Sequence, residues 1–269
     1  MNERILVFIP CYNCASQIGR VLARFAGDVT RWISEVLVLD NGSIDGTVNA
    51  AIAAAALPDV PLVRVARNAA NYNLGGSHKS AYAYAAKSGF SHVITLHGDD
   101  QGDISDVLPV LESGAHERFD ANLGARFMGG ARLEGYSPFR IVGNRVFNTI
   151  FSTAAQRPIF DLGSGLNLLS HAAFADPAIL RLPDDLHFNP YLLMDMIDRG
   201  NRIGFFPISW REEDQVSNVK MAGQAFETLA AALDYRFRLQ HFRKTDYRRV
   251  HHRSYVFDEI ARFENNRLI

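Results

Sequence analysis

The sequence predicts an α/β fold built on a mostly parallel sheet that is flanked by helices. Four short apolar runs, at 5–9, 35–39, 62–65 and 93–96, are typical of strands that are buried on both faces. Segments with helical spacing of apolar residues separate these runs. Because strands that alternate with helices form βαβ units, we expect the four strands to pair in parallel.

The rest of the chain continues this alternation less regularly. Apolar residues that recur every three or four positions predict helices, and short apolar runs predict strands. In chain order, the predicted helices are 16–25, 48–57, 77–87, 139–155 and 190–199, and the later strands are 121–126, 166–169 and 202–208. From Ala222 onward the chain is predicted to be helical.

The bulk composition excludes several classes of protein. Apolar residues make up 48% of the 269 residues and charged residues 21%, a balance typical of globular proteins. The formal net charge of -1 argues against a nucleic-acid binder. No apolar run approaches the roughly 20 residues of a membrane-spanning helix, and the N-terminal run is too short for a signal peptide. We therefore expect a cytoplasmic protein.

The two cysteines, Cys11 and Cys14, have the spacing C-x-x-C. A redox pair is one interpretation. Without a second pair, however, neither a metal site nor a disulfide framework is indicated, and we favour a structural or incidental role. The low cysteine content is consistent with a reducing compartment.

Three polar turns follow the first, second and fourth predicted strands. They span 10–13, 40–47 and 97–101. Because open α/β sheets bind ligands outside the carboxyl ends of their strands, these turns are expected to form one crevice. The stretch at 97–103 carries three carboxylates, an amide and an imidazole, and such an oxygen-rich cluster suits a hard divalent cation such as Mg²⁺ or Mn²⁺. The alternative is a solvated turn that caps the next helix.

These turns resemble motifs of the family 2 glycosyltransferases, which have the GT-A fold. The family carries a Pro-x-Tyr-Asn turn, matched at 10–13, and an Asp-Asp-Gly-Ser-x-Asp-Gly-Thr turn, matched at 40–47. Its Asp-x-Asp motif is matched by Asp99 as the second acid, with His97 in place of the first. The resemblance implies a Rossmann-like sheet, a nucleoside diphosphate sugar as donor, and Mg²⁺ or Mn²⁺ as cofactor.

The second half looks most like the polyprenyl-phosphate sugar transferases, the dolichyl-phosphate mannose synthase type. Their Gly-Ser-Arg-Phe is matched at 124–127, their Gly-Asn-Arg helix at 143–145 and their Asp-x-x-Ser-Gly at 161–165. A loop that ends their domain in Ser-Lys is matched loosely at 210–220. The resemblance is clearest in the first 105 residues.

The resemblance also implies domain limits and roles for individual residues. The implied units are a GT-A domain at 1–220, its nucleotide-binding half at 1–105, its acceptor half at 106–220, and a basic helical C-terminal extension at 221–269. The residues implied to bind the donor nucleotide are Pro10, Tyr12, Asn13, Asp40, Gly42, Ser43, His97 and Asp99. Those implied to hold the metal are Asp99 and Gln101. Those implied to meet phosphate or acceptor are Arg126, Ser164, Arg211 and Lys220.

The implied function is a metal-dependent, inverting transfer of a sugar to a polyprenyl phosphate or a related acceptor. A phosphate acceptor is mostly ionised near neutral pH, whereas a sugar hydroxyl needs a general base. Asp161 and Asp195 are the candidates for that catalytic base, with helix capping and an exposed helix face as their alternative roles. Two other functions stay open: transfer to a sugar hydroxyl in cell-envelope polysaccharide or glycolipid assembly, and nucleotide-sugar binding without transfer.

Basic and aromatic residues are interleaved between 236 and 253. The basic ones are Arg236, Arg238, Arg243, Lys244, Arg248, Arg249 and Arg253. A basic, aromatic helix can lie on an anionic membrane, which would place the protein peripherally at the cytoplasmic face. The alternative is a solvated packing or dimerisation helix, so a homo-oligomer also stays open.

Overall fold

The computed structural model describes residues 3–212 and 221–269, and the elements below lie in these ranges. The strands are β1 Ile5–Cys11, β2 Ile33–Asp40, β3 Leu62–Asn68, β4 His92–Leu96, β5 Ala121–Ala125, β6 Arg132–Glu134, β7 Leu166–Ser170, β8 Ile203–Pro207, β9 Ser209–Arg211, β10 Phe257–Glu264 and β11 Arg267–Leu268. The helices are α1 Ala15–Ala23, α2 Thr47–Ala54, α3 Asn73–Lys87, α4 Leu108–Glu112, α5 Ala115–Arg118, α6 Pro138–Ala155, α7 His171–Phe174, α8 Phe188–Asp198, α9 Met221–Phe237 and α10 Leu239–Lys244.

The central sheet, over the described residues, has the strand order β11-β10-β3-β2-β1-β4-β7-β5-β8. β3, β2, β1 and β4 run parallel, and β5 runs parallel to β8. β7 lies antiparallel between β4 and β5. A small separate sheet pairs β6 with β9 in parallel. The predicted α/β fold, with a mostly parallel sheet flanked by helices, is confirmed.

β1 is buried on both faces, as its continuous apolar run predicts. Ile5, Val7 and Ile9 pack into a core layer shared with α1 and α2. Leu6 and Phe8 pack into the opposite layer, shared with α3, α6 and α8. Because both faces of the sheet are covered, the polar turns at its carboxyl edge are the exposed part of the central strands.

The C-terminal extension is helical only as far as Lys244, which corrects the prediction of helix to the end of the chain. β10 pairs antiparallel with β3, and β11 pairs with β10. The turn between them consists of Asn265 and Asn266, which have φ of 47° and 66°. Asparagine tolerates these left-handed values, and a turn of this kind matches the twist of a two-residue hairpin. The last strands therefore complete the central sheet and cover the edge of β3.

A buried ion pair also ties the C-terminal segment to the core. The Lys79 side chain, fully buried on α3, donates to Asp184 Oδ1 at 2.6 Å. The Tyr255 hydroxyl donates to the same oxygen at 2.8 Å. Among the described residues, none of the helices has both the length and the apolar character needed to cross a membrane.

Candidate active site

The turns after β1, β2 and β4 meet at the carboxyl edge of the sheet. The Asn13 backbone N–H donates to Ser43 Oγ at 2.8 Å, and Asn13 Oδ1 accepts the Ile44 N–H at 3.0 Å. The Gly98 N–H donates to the Pro10 carbonyl at 3.2 Å. The three polar turns are therefore bonded to one another at the edge of the sheet where the sequence leads us to expect a ligand crevice.

Asp40 lies at the floor of this crevice. Its oxygens accept the backbone N–H groups of Gly42 and Ser43 at 3.2 Å, and Arg67 Nε donates to Oδ2 at 2.7 Å. Gly42 has a φ of 85°, a conformation that favours glycine. Tyr12 is half exposed at the rim. The resemblance assigns Asp40 to the donor nucleotide, but its carboxylate already accepts hydrogen bonds from the protein.

The turn after β4 is fixed by Asp100, a residue that the motif comparison leaves without a role. Asp100 has a left-handed φ of 63°, and only 2% of its side chain is exposed. Its carboxylate pairs with Arg20 of α1 at 2.7 Å and with Arg24, the residue that follows α1, at 2.6 Å. Arg211 Nε donates to the Asp100 carbonyl at 3.2 Å. Asp100 therefore holds the turn in place. Arg211, which the resemblance assigns to phosphate or acceptor, helps to hold the same turn through this bond.

Asp99 and His97 fit a divalent cation. Burial raises the pKa of Asp99 to about 6, while backbone N–H donors and the charge of Arg126 oppose that shift. Burial, with a smaller effect of Arg126, lowers the pKa of His97 to about 4, so the ring is neutral at pH 7. Its buried Nε2 has no hydrogen-bond partner among the described residues. A buried carboxylate oxygen and a neutral imidazole nitrogen are both suitable ligands for Mn²⁺.

Arg126 and Asp161 form a buried bidentate ion pair beside this turn. Arg126 Nε and Nη2 donate to the two Asp161 oxygens at 2.8 and 2.9 Å, and the guanidinium lies 5.0 Å from the Trp210 ring centroid. The positive charge of Arg126 acts on both His97 and Asp99. Asp161 thus orients Arg126 toward the predicted metal turn.

The loop that carries Asp161 joins the metal turn directly. The His97 N–H donates to the Gly165 carbonyl at 3.0 Å. A Cβ on Gly165 would lie 2.9 Å from His97 Cγ, so the contact requires glycine. Ser164 is buried, and its hydroxyl donates to the Leu166 carbonyl at 3.0 Å. Ser164 therefore supports the loop instead of offering its hydroxyl to a ligand.

Two other predicted residues do not join this cluster. Asp195 on α8 is buried and pairs with Arg181 and, at 2.8 Å, with Arg199. Burial raises its pKa, and the two arginines oppose that shift. These contacts give Asp195 a structural role between α8 and its neighbours. Lys220 lies outside the described residues.

Sequence reasoning missed the polar residues at the end of β3. Arg67 lies opposite Asp40, one residue before the strand ends, and Asn68 Nδ2 donates to Asn41 Oδ1 at 2.9 Å. Asn41 Nδ2 in turn donates to Asn71 Oδ1 at 2.8 Å. The sequence contained a signal for them, because these polar residues follow the third predicted strand at 62–65. The three polar turns follow the other predicted strands in the same way.

A model of glycosyl transferase family 2 matches residues 6–176, well over half of the chain. The chain therefore belongs to this family and is a glycosyltransferase. It is 27% identical over 176 residues to the uncharacterised protein MJ1222 of Methanocaldococcus jannaschii, an alignment that covers 64% of this chain and 67% of that protein.

Solved structures with the same fold include glucosyl-3-phosphoglycerate synthase of Mycobacterium tuberculosis. Its complex with UDP superposes with a TM-score of 0.61 at 16% identity, covering 87% of this chain and 80% of that one. A second structure holds Mn²⁺, UDP-glucose and glycerol 3-phosphate, with a TM-score of 0.60 at 19% identity and the same coverage. These similarities establish the GT-A fold.

Arg24→Ala tests whether Asp100 anchors the metal turn. The variant leaves a buried carboxylate with one fewer cation, so we expect the free energy of unfolding to fall by about 2 kcal/mol or more in urea titrations. The matched control is Arg31→Ala, which breaks exposed pairs with Asp28 and Glu112 and should cost about 0.5 kcal/mol or less. Equal losses in the two variants would contradict the anchor.

Proposed function

We propose that the chain is a metal-dependent, inverting glycosyltransferase that moves a sugar from a nucleoside diphosphate sugar to a polyprenyl phosphate or a related phosphate-bearing acceptor. One observation carries the proposal: Asp99 and His97 share the carboxyl edge with the donor turn at 40–47 and with the Arg126–Asp161 pair. Donor, cation and acceptor contacts can therefore converge at one place.

The donor half of the proposal rests on charge. Asp99 and Gln101 would hold the cation, and His97 lies beside them. When bound, a divalent cation neutralises the charge that develops on the leaving nucleoside diphosphate. Arg126 adds a fixed positive charge that needs no reorganisation during the reaction. The Mycobacterium tuberculosis synthase, which binds Mn²⁺ and UDP-glucose, supports the same donor chemistry here.

The acceptor half rests on how the candidate bases are paired. Asp161 is bonded to Arg126, and Asp195 to Arg181 and Arg199. In each pair, arginine N–H groups bond both carboxylate oxygens, so neither oxygen is placed to take a proton from a hydroxyl acceptor. An ionised phosphate needs orientation instead of a base, and the guanidinium of Arg126 suits its oxygens. This pairing favours a phosphate oxygen as the attacking atom.

A hydroxyl acceptor that also carries a phosphate is the second candidate. It is favoured by the Mycobacterium tuberculosis structures, which contain phosphoglyceric acid or glycerol 3-phosphate. Attack by a hydroxyl would need a base within hydrogen-bonding reach. Asp161 is the catalytic candidate in that case, because it adjoins the metal turn and Asp195 does not.

Asp99→Asn tests the metal assignment. Loss of this carboxylate should weaken Mn²⁺-dependent UDP binding by about 100-fold or more, since loss of an outer-shell partner alone costs about 10- to 100-fold. Calorimetry with and without Mn²⁺ measures the effect. Asp103→Asn is the matched control, because Asp103 caps the next turn through Ser105, a role that asparagine fills equally well. Its other contact is a long ion pair with Arg24 at 3.6 Å, so this control also removes one nearby negative charge. Unchanged Mn²⁺ dependence in Asp99→Asn would rule out the assignment.

Transfer assays separate the two acceptors. With a labelled nucleotide sugar, we expect product on polyprenyl phosphate in vesicles and none on 3-phosphoglyceric acid. Arg126→Lys should lower kcat about tenfold or more, because an ammonium cannot keep the bidentate bond to Asp161 that fixes the position of this positive charge. Product on 3-phosphoglyceric acid alone would establish the second candidate. Donor binding without any transfer would instead indicate a nucleotide-sugar-binding protein.

We also propose weak peripheral membrane contact through 236–253. Most arginines of this segment are paired, with Asp234, Asp198, Asp246 and Glu227 as their partners. Arg236, Lys244 and Arg253 have no ion pair within the described residues, and each such cation contributes about 1 kcal/mol at an anionic surface. We expect sedimentation with anionic vesicles at low salt and release at high salt. Equal sedimentation with neutral vesicles would refute the contact.

A further inference from the structure

The ends of β2 and β3 place an acid beside an arginine at the floor of the donor crevice. Asp40 and Arg67 face each other across the parallel pair of strands. Arg67 Nε donates to Asp40 Oδ2 at 2.7 Å, and its Nη2 donates to the Ser43 carbonyl at 3.4 Å. Both residues therefore belong to the same surface as the turn at 40–47.

The two side chains differ in their accessibility. Asp40 is 1% exposed, whereas 45% of the Arg67 side chain is exposed. The Asp40 oxygens also accept the N–H groups of Gly42 and Ser43. A ligand that enters the crevice consequently meets the guanidinium of Arg67, with the carboxylate behind it.

We propose that Arg67 selects the nucleobase of the donor, and that it selects uracil or guanine over cytosine or adenine. This inference rests on the proposed function, because it assumes a nucleoside diphosphate in the crevice. A guanidinium carries N–H donors and no acceptor. Uracil and guanine present a carbonyl oxygen at the position where cytosine and adenine present an amino group.

The hydrogen-bonding groups of Arg67 and Asp40 make the selection between oxo and amino bases strong. An amino base would place its N–H groups against the N–H groups of Arg67, and the acceptor beneath, Asp40, is already used. Sites that hydrogen-bond one polar group discriminate well against analogues that cannot pair, because buried polar groups then stay unsatisfied. We expect at least one oxo base to bind at least about tenfold more tightly than the amino base of the same size, a factor equivalent to about 1.4 kcal/mol.

Calorimetry of the full chain with Mn²⁺ and four nucleoside diphosphates tests the inference. The readouts are two Kd ratios, CDP to UDP and ADP to GDP, and in the unmodified protein at least one should exceed about ten. Arg67→Gln replaces the guanidinium by an amide that both donates and accepts. In this variant both Kd ratios should lie within about twofold of 1. If this variant does not fold, Arg67→Lys keeps the charge beside Asp40 and should reduce the ratio at least threefold.

Arg64→Gln is the matched control. Arg64 lies on the same strand and pairs with Glu35 of β2 at 2.9 Å, but away from the carboxyl edge. Its substitution should leave both ratios unchanged. Equal binding of oxo and amino bases, or ratios that survive Arg67→Gln, would overturn the role of Arg67 and leave the proposed function intact. Failure of all four diphosphates to bind would overturn the proposed function and this inference with it.

Discussion

The ion pairs of buried Asp100 are the constraint on which the candidate site depends. A buried carboxylate is costly unless cations and donors compensate it, so the turn after β4 cannot shift without breaking its contacts with Arg20 and Arg24. These contacts tie the turn to α1, and Arg211 ties it to β9. Asp99 is positioned as a consequence, because it is the neighbouring residue in a turn that has one stable geometry.

The same arrangement recurs along the carboxyl edge. Asp40 is covered by Arg67, and Asp161 is held against Arg126. In each pair the acid is almost fully buried and the arginine is the more exposed partner. This edge of the sheet therefore carries guanidinium groups beside its acidic motif residues, and Arg67 is the more accessible of the two arginines. Positive charge at this position attracts an anionic diphosphate.

Local patterns were sufficient to predict the fold and the meeting of the polar turns. Continuous apolar runs predicted β1 to β4, and the polar turns that follow β1, β2 and β4 were expected at one edge of the sheet, where hydrogen bonds join them. The pairing partners of charged residues could not be predicted, because Arg24 and Asp100 are distant in sequence and meet only when α1 packs on the sheet. β10 was missed for a similar reason, since its polar sequence becomes a strand by pairing with β3. The Asn265–Asn266 turn was a local signal for that hairpin.

The antiparallel pairing of β10 with β3 bears on how the chain is made. During synthesis β3 emerges long before β10, so its outer edge stays unpaired while the intervening segments are translated. Unpaired strand edges are templates for aggregation. Lys79 likewise lacks Tyr255 until late in synthesis. A nascent or truncated chain without the last strands would therefore expose the aggregation-prone edge of β3. Pairing of the C-terminal segment with β3 covers that edge late in folding.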